Sequence, residues 1–191
     1  MAPPLRSPAI ALGVGAAVGL VVAGMGSRLA MRLVALADDR EGFGRSTEGG
    51  DIIGEVTLEG TLFILFTGLA QGIVGALVYL ALRRWLPERP FARALFFALM
   101  ILGIGLAAIV NGNDADFEFV NTAVSILSFA CVLLVYGMLV PVLMDRLSPP
   151  TVSGSRWGRG VVTMVLVLAL VSGALAVRRA FEIADGAALV G

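Results

Sequence analysis

The sequence predicts an all-α integral membrane protein, a polytopic bundle of about five transmembrane helices that forms one domain over residues 1–191. Of the 191 residues, 58% are hydrophobic and 15% are charged, and the mean hydropathy is +0.94, whereas a soluble domain has about a quarter of its residues charged. Five apolar stretches are long enough to cross about 30 Å of hydrocarbon, and only short polar connections join them. The spans are predicted at 9–36, 60–82, 91–110, 120–144 and 160–177.

The first span carries small residues at every fourth position, a spacing that lets another helix backbone approach closely. These residues are Ala11, Gly15, Gly19, Ala23 and Ser27. We therefore expect this face to pack against another helix.

Two arginines, Arg28 and Arg32, end the first span one helical turn apart, and Asp39 extends the same face. A guanidinium at the centre of a membrane costs at least about 2.5 kcal/mol, so such a residue lies at the interface, pairs with an acid or faces a polar cavity. We expect both arginines at a membrane boundary. Their predicted partners are local carboxylates or, as the alternative, lipid phosphate or another anion.

Polar side chains in the second and fourth spans are expected to point into the bundle. Gln71 lies near mid-depth of the second span and needs a hydrogen-bonding partner. The fourth span places further polar residues on one helical face, and because the two spans run in the same direction, Gln71 is predicted to neighbour Ser128 and Cys131. The predicted polar interior comprises Gln71, Asn121, Ser125, Ser128 and Tyr136.

The connection after the third span is acidic, and Asp114, Asp116 and Glu118 alternate there like oxygen ligands for a hard cation. It lacks the glycine and the distal glutamate of a helix-loop-helix calcium site, so a solvated acidic hairpin is favoured over a metal site. With no histidine and a single cysteine, the usual Zn, haem and copper ligand sets are absent. We expect no metal or cofactor.

The arginine distribution predicts the orientation. With five spans, the N-terminus and the second and fourth connections share one side of the membrane. That side carries eight arginines and the other carries six, so the positive-inside rule favours a cytoplasmic N-terminus in a multi-pass protein of the cell membrane. The pair Arg178 and Arg179, beyond the fifth span, opposes this orientation.

Four short motifs resemble a set of small, uncharacterised bacterial membrane proteins over about residues 10–145. The resemblance implies no activity. The motifs are Ser27-Arg-Leu-Ala-Met-Arg32, Gly60-Thr-Leu62, Arg83-Arg-Trp-Leu-Pro87 and Asp114-Ala-Asp-Phe117.

Three function classes remain after nucleic-acid binding is set aside, because 14 basic and 14 acidic residues balance. The leading hypothesis is a non-enzymatic accessory or assembly subunit in the lipid bilayer, which packs through glycine-rich helix faces against other membrane subunits or a copy of itself. The first alternative is a small oligomeric transporter or channel with a polar path near Gln71, Ser125 and Ser128. The second is a metal-dependent, lipid-active enzyme at the outer interface. No nucleophile–base pair can be recognised, so an enzyme is disfavoured.

Overall fold

The computed structural model describes residues 6–37, 57–118, 120–149 and 154–188, and about 90% of these residues are helical with no strand among them. The predicted all-α class is therefore confirmed. The elements are α1 (Arg6–Val18), a π-helical segment (Gly19–Met25) and α2 (Gly26–Ala37), which together form one continuous first helix, followed by α3 (Leu58–Leu82), α4 (Pro90–Gly112), a short 3-10 helix (Asp114–Glu118), α5 (Thr122–Leu147) and α6 (Arg156–Ala188).

Within the described residues, five helical segments are long and apolar enough to cross a membrane, which makes the protein a multi-pass membrane protein. These segments are Ser7–Ala37, Leu58–Leu82, Pro90–Gly112, Thr122–Leu147 and Arg156–Gly186. The last one extends well beyond the predicted end at residue 177. Beyond residue 177, Arg178 pairs with Glu182 at 2.7 Å and Arg179 pairs with Asp114 at 2.6 Å.

The helices pack side by side in the order α3, first helix, α5, α4, α6. The first helix contacts α3 along α1 and the π-helical segment, and it contacts α5 mainly along α2. Helix α4 lies between α5 and α6, and α6 packs mainly on α4. Most contacts join neighbours in this order, while the end of α3 also meets α4 at the basic end, where the Tyr79 ring contacts Phe97. Large apolar side chains on the outer helix faces are exposed on the isolated chain.

The alternating direction of the helices creates two ends of opposite charge. Ser7 and Ser148 hydrogen bond through their hydroxyls at 2.9 Å, and Arg83 donates to the Ser148 carbonyl. These contacts join the start of α1 to the ends of α3 and α5. The charged residues of this basic end within the described ranges are Arg6, Arg83, Arg84, Arg89, Arg93, Arg146, Arg156, Arg159, Glu88 and Asp145. Those of the opposite, acidic end are Arg28, Arg32, Arg178, Arg179, Glu59, Asp114, Asp116, Glu118, Glu182 and Asp185.

Candidate functional site

The first helix and α3 pack through glycines at backbone contact. Gly15 lies against Gly72 and Ala76, and Gly19 lies against Gly68 and Gly72. A Cβ atom added to Gly15 would lie 2.7 Å from the Gly72 carbonyl oxygen, closer than real Cβ atoms approach. The first helix and α3 of the same chain therefore bury these glycine-rich faces against each other. We call this contact the glycine seam.

The glycine seam changes its spacing at the π-helical segment. Up to Gly19 the buried small residues are four apart, as predicted, but the next one is Gly24, five residues on, while Ala23 is only half-buried. A π-helix closes its hydrogen bonds over five residues, so a five-residue step keeps both glycines on one face. The predicted continuation through Ala23 and Ser27 is therefore wrong, and Arg28 occupies the next position of the seam.

Arg28 is consequently bound to the first turn of α3. Its Nε and Nη2 donate to Thr61 Oγ1 at 3.3 and 3.0 Å, and Nη2 also reaches the Thr57 carbonyl at 3.4 Å. The Thr61 hydroxyl donates to the same carbonyl at 2.7 Å, which leaves its oxygen free to accept from Arg28. The partners of Arg28 among the described residues are thus a hydroxyl and a carbonyl, whereas the acidic residues of the first connection, which include Asp39, lie outside the described residues.

Arg32 and Asp39 complete the set predicted with Arg28. Arg32 is exposed and makes no ion pair with any residue that the structure describes. Asp39 lies outside the described residues. The two arginines are thus not equivalent, because one is engaged by α3 and the other is directed outward.

An ion-pair cluster that the sequence analysis missed closes the basic end. Arg93 Nη1 donates to Asp145 Oδ2 at 2.7 Å, and the Tyr79 hydroxyl donates to Asp145 Oδ1 at 2.7 Å. Arg93 also donates to the carbonyls of Pro87 and Glu88, each at 3.0 Å. The carboxylate therefore accepts from two helices, and the guanidinium fastens the α3–α4 connection to α5.

The cluster is largely buried, since the Arg93 and Asp145 side chains retain only 9% and 15% of their accessible surface. A sequence signal for it existed. Arg93 lies in the first turn of α4 and Asp145 in the last turn of α5, at the same end of the bundle. A charged side chain that turns inward there needs a counter-charge at the same depth.

The predicted polar interior is divided between the inside and the outside of the molecule. Ser125 and Tyr136 are buried, Ser128 is half-buried, and the Tyr136 hydroxyl donates to the Gly72 carbonyl at 2.8 Å. Asn121 is exposed and caps α5 by accepting from the Val124 amide at 3.1 Å. The tyrosine hydroxyl is thus used in helix packing, and these side chains do not share one lining.

Gln71 is exposed, contrary to the expectation of an interior position, and so is Cys131. The buried face of α3 is set by Gly68, Gly72 and Ala76. Gln71 precedes Gly72 by one residue, which turns its side chain about 100° away from that face. The need for glycine at the seam therefore decides where the amide points.

Asp114, the first acidic residue after α4, forms an ion pair. Asp114 Oδ2 accepts from Arg179 Nη2 at 2.6 Å, and Arg179 Nη1 donates to Asn111 Oδ1 at 3.2 Å. Within the described ranges, no three His, Cys, Asp or Glu side chains are grouped so that they could hold a metal ion. The predicted metal candidates Asp114, Asp116 and Glu118 thus lie in a hairpin whose first carboxylate is already bound to an arginine.

No protein-family model, curated protein or solved structure matches this chain. The remaining functional candidates are the side chains that the fold leaves exposed along the spans. Among those assembled above, Gln71 is the polar group nearest the middle of a span.

Proposed function

We propose that the protein is a non-enzymatic assembly protein of the cell membrane that pairs with a second copy of itself through the outer face of α3. The observation that carries the proposal is Gln71. Its side chain is exposed near the middle of Leu58–Leu82, and it forms no hydrogen bond with any residue in the described part of the chain.

An amide at this depth favours a contact with another helix. Neither water nor a lipid headgroup is present in the hydrocarbon to replace the missing hydrogen bonds, and an unsatisfied polar group there is costly. A hydrogen bond between transmembrane helices contributes about 0.6 kcal/mol on average and up to about 1.7 kcal/mol. Pairing of helices is therefore the simplest way to satisfy Gln71.

A second copy fits this requirement by symmetry. Two copies of the same orientation, related by a two-fold axis along the membrane normal, place their α3 helices parallel, so each residue meets its counterpart at the same depth. The glutamine amide has both a donor and an acceptor, and two Gln71 side chains can satisfy each other.

The residues around Gln71 support a helix–helix seam. Ala70, Val74, Leu77 and Ala81 follow one another at alternating steps of four and three, and all four are exposed. This spacing is that of left-handed helix pairs, and the small Ala70 beside Gln71 permits close approach.

For the orientation, we propose that the basic end and the N-terminus face the cytoplasm. Eight arginines of the described ranges lie at the basic end, Arg6 at the start of α1 among them, and four lie at the acidic end. The positive-inside rule depends on the numbers of Lys and Arg near the spans, and this difference supports the proposed orientation.

Disulfide cross-linking in native membranes tests the pairing. In a Cys131→Ser background, Val74→Cys places a thiol on the proposed seam, and Leu168→Cys places one on the exposed face of α6 as a matched control. Oxidation is expected to give a covalent dimer with Val74→Cys and none with Leu168→Cys. Adding Gln71→Leu to Val74→Cys is expected to lower the dimer yield about fivefold.

Two results would contradict the proposal. One is an equal dimer yield from the two cysteine positions, which would indicate random collision. The other is cross-linking of Val74→Cys only to proteins of other masses, which would make α3 a binding face for a different subunit.

A further inference from the structure

An apolar groove lies at the basic end between the end of α3 and the first turns of α6. It has a volume of about 230 Å³, and its lining contains no exposed polar atom. Its walls are formed by Leu82, Trp85, Gly158, Val161, Val162 and Val165. The groove is partly open to the surroundings of the chain.

Trp85 holds the two walls together. The Gly154 amide donates to the Arg84 carbonyl, and the indole packs on the backbone of Gly158, where a Cβ atom would collide with the ring. The hydrogen bond next to Trp85 and the packing of its ring on Gly158 together hold the groove in shape.

Three arginines are close in the chain to residues that line the groove: Arg84 precedes Trp85, and Arg156 and Arg159 flank Gly158 on the first turn of α6. The Arg84 guanidinium carbon lies 3.9 Å from the centroid of the Trp85 ring, a cation–π contact that fixes the charge above the groove. Arg156 and Arg159, on the first turn of α6, are exposed, and neither forms an ion pair with a described residue. Arg156 also lines a shallow depression that shares Val161 with the groove.

We propose that this groove binds one acyl chain of an anionic phospholipid, whose phosphate is held by Arg156, Arg159 and Arg84. Apolar walls in the hydrocarbon suit a lipid tail, and guanidinium groups at the boundary bind phosphate oxygens in bidentate geometry. Two tryptophans, Trp85 and Trp157, lie at the same level, as is usual at the headgroup region. The groove is separate from the outer face of α3 around Gln71, so this site does not depend on the proposed pairing.

Quenching of Trp85 by brominated lipids tests the site. The chain has two tryptophans, so Trp157→Phe leaves Trp85 as the sole fluorophore. The full chain is reconstituted in phosphatidylcholine vesicles containing a minor fraction of phosphatidylglycerol, with bromine on the acyl chains of one lipid or the other. Per mole of brominated lipid, phosphatidylglycerol is expected to quench Trp85 roughly fivefold more effectively than phosphatidylcholine.

Three variants in the Trp157→Phe background separate charge from shape. Arg156→Gln with Arg159→Gln is expected to abolish the preference for phosphatidylglycerol. Arg178→Gln, an exposed arginine at the acidic end, is expected to retain it. Val161→Phe, which fills the groove without changing charge, is expected to reduce quenching by brominated phosphatidylglycerol by at least half.

The emission maximum of Trp85 without brominated lipid shows whether each variant keeps its fold. Equal quenching by the two lipids in the parent would overturn the proposal. So would a preference that survives removal of both arginines, or quenching that Val161→Phe leaves unchanged.

Discussion

At the scale of single residues, Arg93 shows how a permanent charge is accommodated at the edge of the membrane. Its guanidinium donates to one carboxylate and two carbonyls, and the carboxylate accepts a further hydrogen bond from Tyr79. Such a buried pair adds little to stability compared with apolar packing, but breaking it leaves an uncompensated charge. The cluster thus specifies how α3, α4 and α5 meet.

Asp145→Asn is expected to lower the free energy of unfolding by about 3 kcal/mol, because Arg93 stays charged while its counter-ion is removed. Asp185→Asn, at an exposed position of the acidic end, is the matched control and is expected to have almost no effect. Unfolding by dodecyl sulfate in mixed micelles, followed by circular dichroism, measures both.

The double variant Arg93→Gln with Asp145→Asn is expected to recover part of the loss, since it removes both charges. Equal destabilisation by Asp145→Asn and Asp185→Asn would show that the ion pair does not hold the basic end together.

The sequence predicted that Arg28 lies near a boundary with a polar partner, but not which partner. A polar partner was predictable because an unpaired guanidinium is costly in hydrocarbon wherever it lies in the fold. Its identity, Thr61, depends on the rotation of the helix at the π-helical segment. Arg93 and Asp145 were missed because the burial of residues near helix ends depends on the neighbouring helices, whose positions the sequence pattern does not give.

At the scale of elements, the π-helical segment lets one helix serve two neighbours. Gly15 before the segment, Gly19 and Gly24 within it and Arg28 after it all face α3. Gly26, which follows the segment directly, lies against Val132 of α5. The segment behaves as a one-residue insertion into an α-helical seam.

Deletion of Val21, an exposed residue of this segment, is expected to be tolerated. It restores a four-residue step from Gly19 to Gly24, so a regular α-helix keeps both glycines and Arg28 on α3. Deletion of Ala17, also exposed, is expected to prevent folding, because it shortens the step from Gly15 to Gly19 to three residues and rotates the glycines off the seam.

Yields of monodisperse protein after mild detergent extraction, together with thermal unfolding, compare the two deletions. If both were equally damaging, the π-helical segment would be required for more than alignment of the seam.

The five helices themselves were predictable because apolar length decides whether a segment can span a bilayer. Which face of each helix is buried was harder to predict. Gln71 was assigned to the interior from its polarity, yet the close approach of α3 to the first helix depends on the missing side chains of Gly68 and Gly72, and these fix the rotation of α3. At this seam, the smallest residues determine packing more than polarity does.

At the scale of the whole molecule, the two ends differ in charge, and this difference predicts how the protein sits in the membrane. In a Cys131→Ser background, Glu118→Cys places a thiol at the acidic end and Arg89→Cys places one at the basic end, and both positions are exposed. A membrane-impermeant maleimide added to intact spheroplasts is expected to label Glu118→Cys at once and Arg89→Cys only after lysis. Labelling of Arg89→Cys in intact spheroplasts and of Glu118→Cys only after lysis would show the opposite orientation and contradict the proposal.

The packing order of the helices also bears on the sequence of events during synthesis. The first helix and α3 are consecutive spans and meet through glycines, so they can pair as soon as α3 has entered the membrane. Helix α4 follows at once, but its two main neighbours, α5 and α6, come later in the chain. Helix α4 therefore enters the membrane before its main neighbours have been synthesised. Its contact with α6 through Gly103 and Gly173 can form only after the last span has been made.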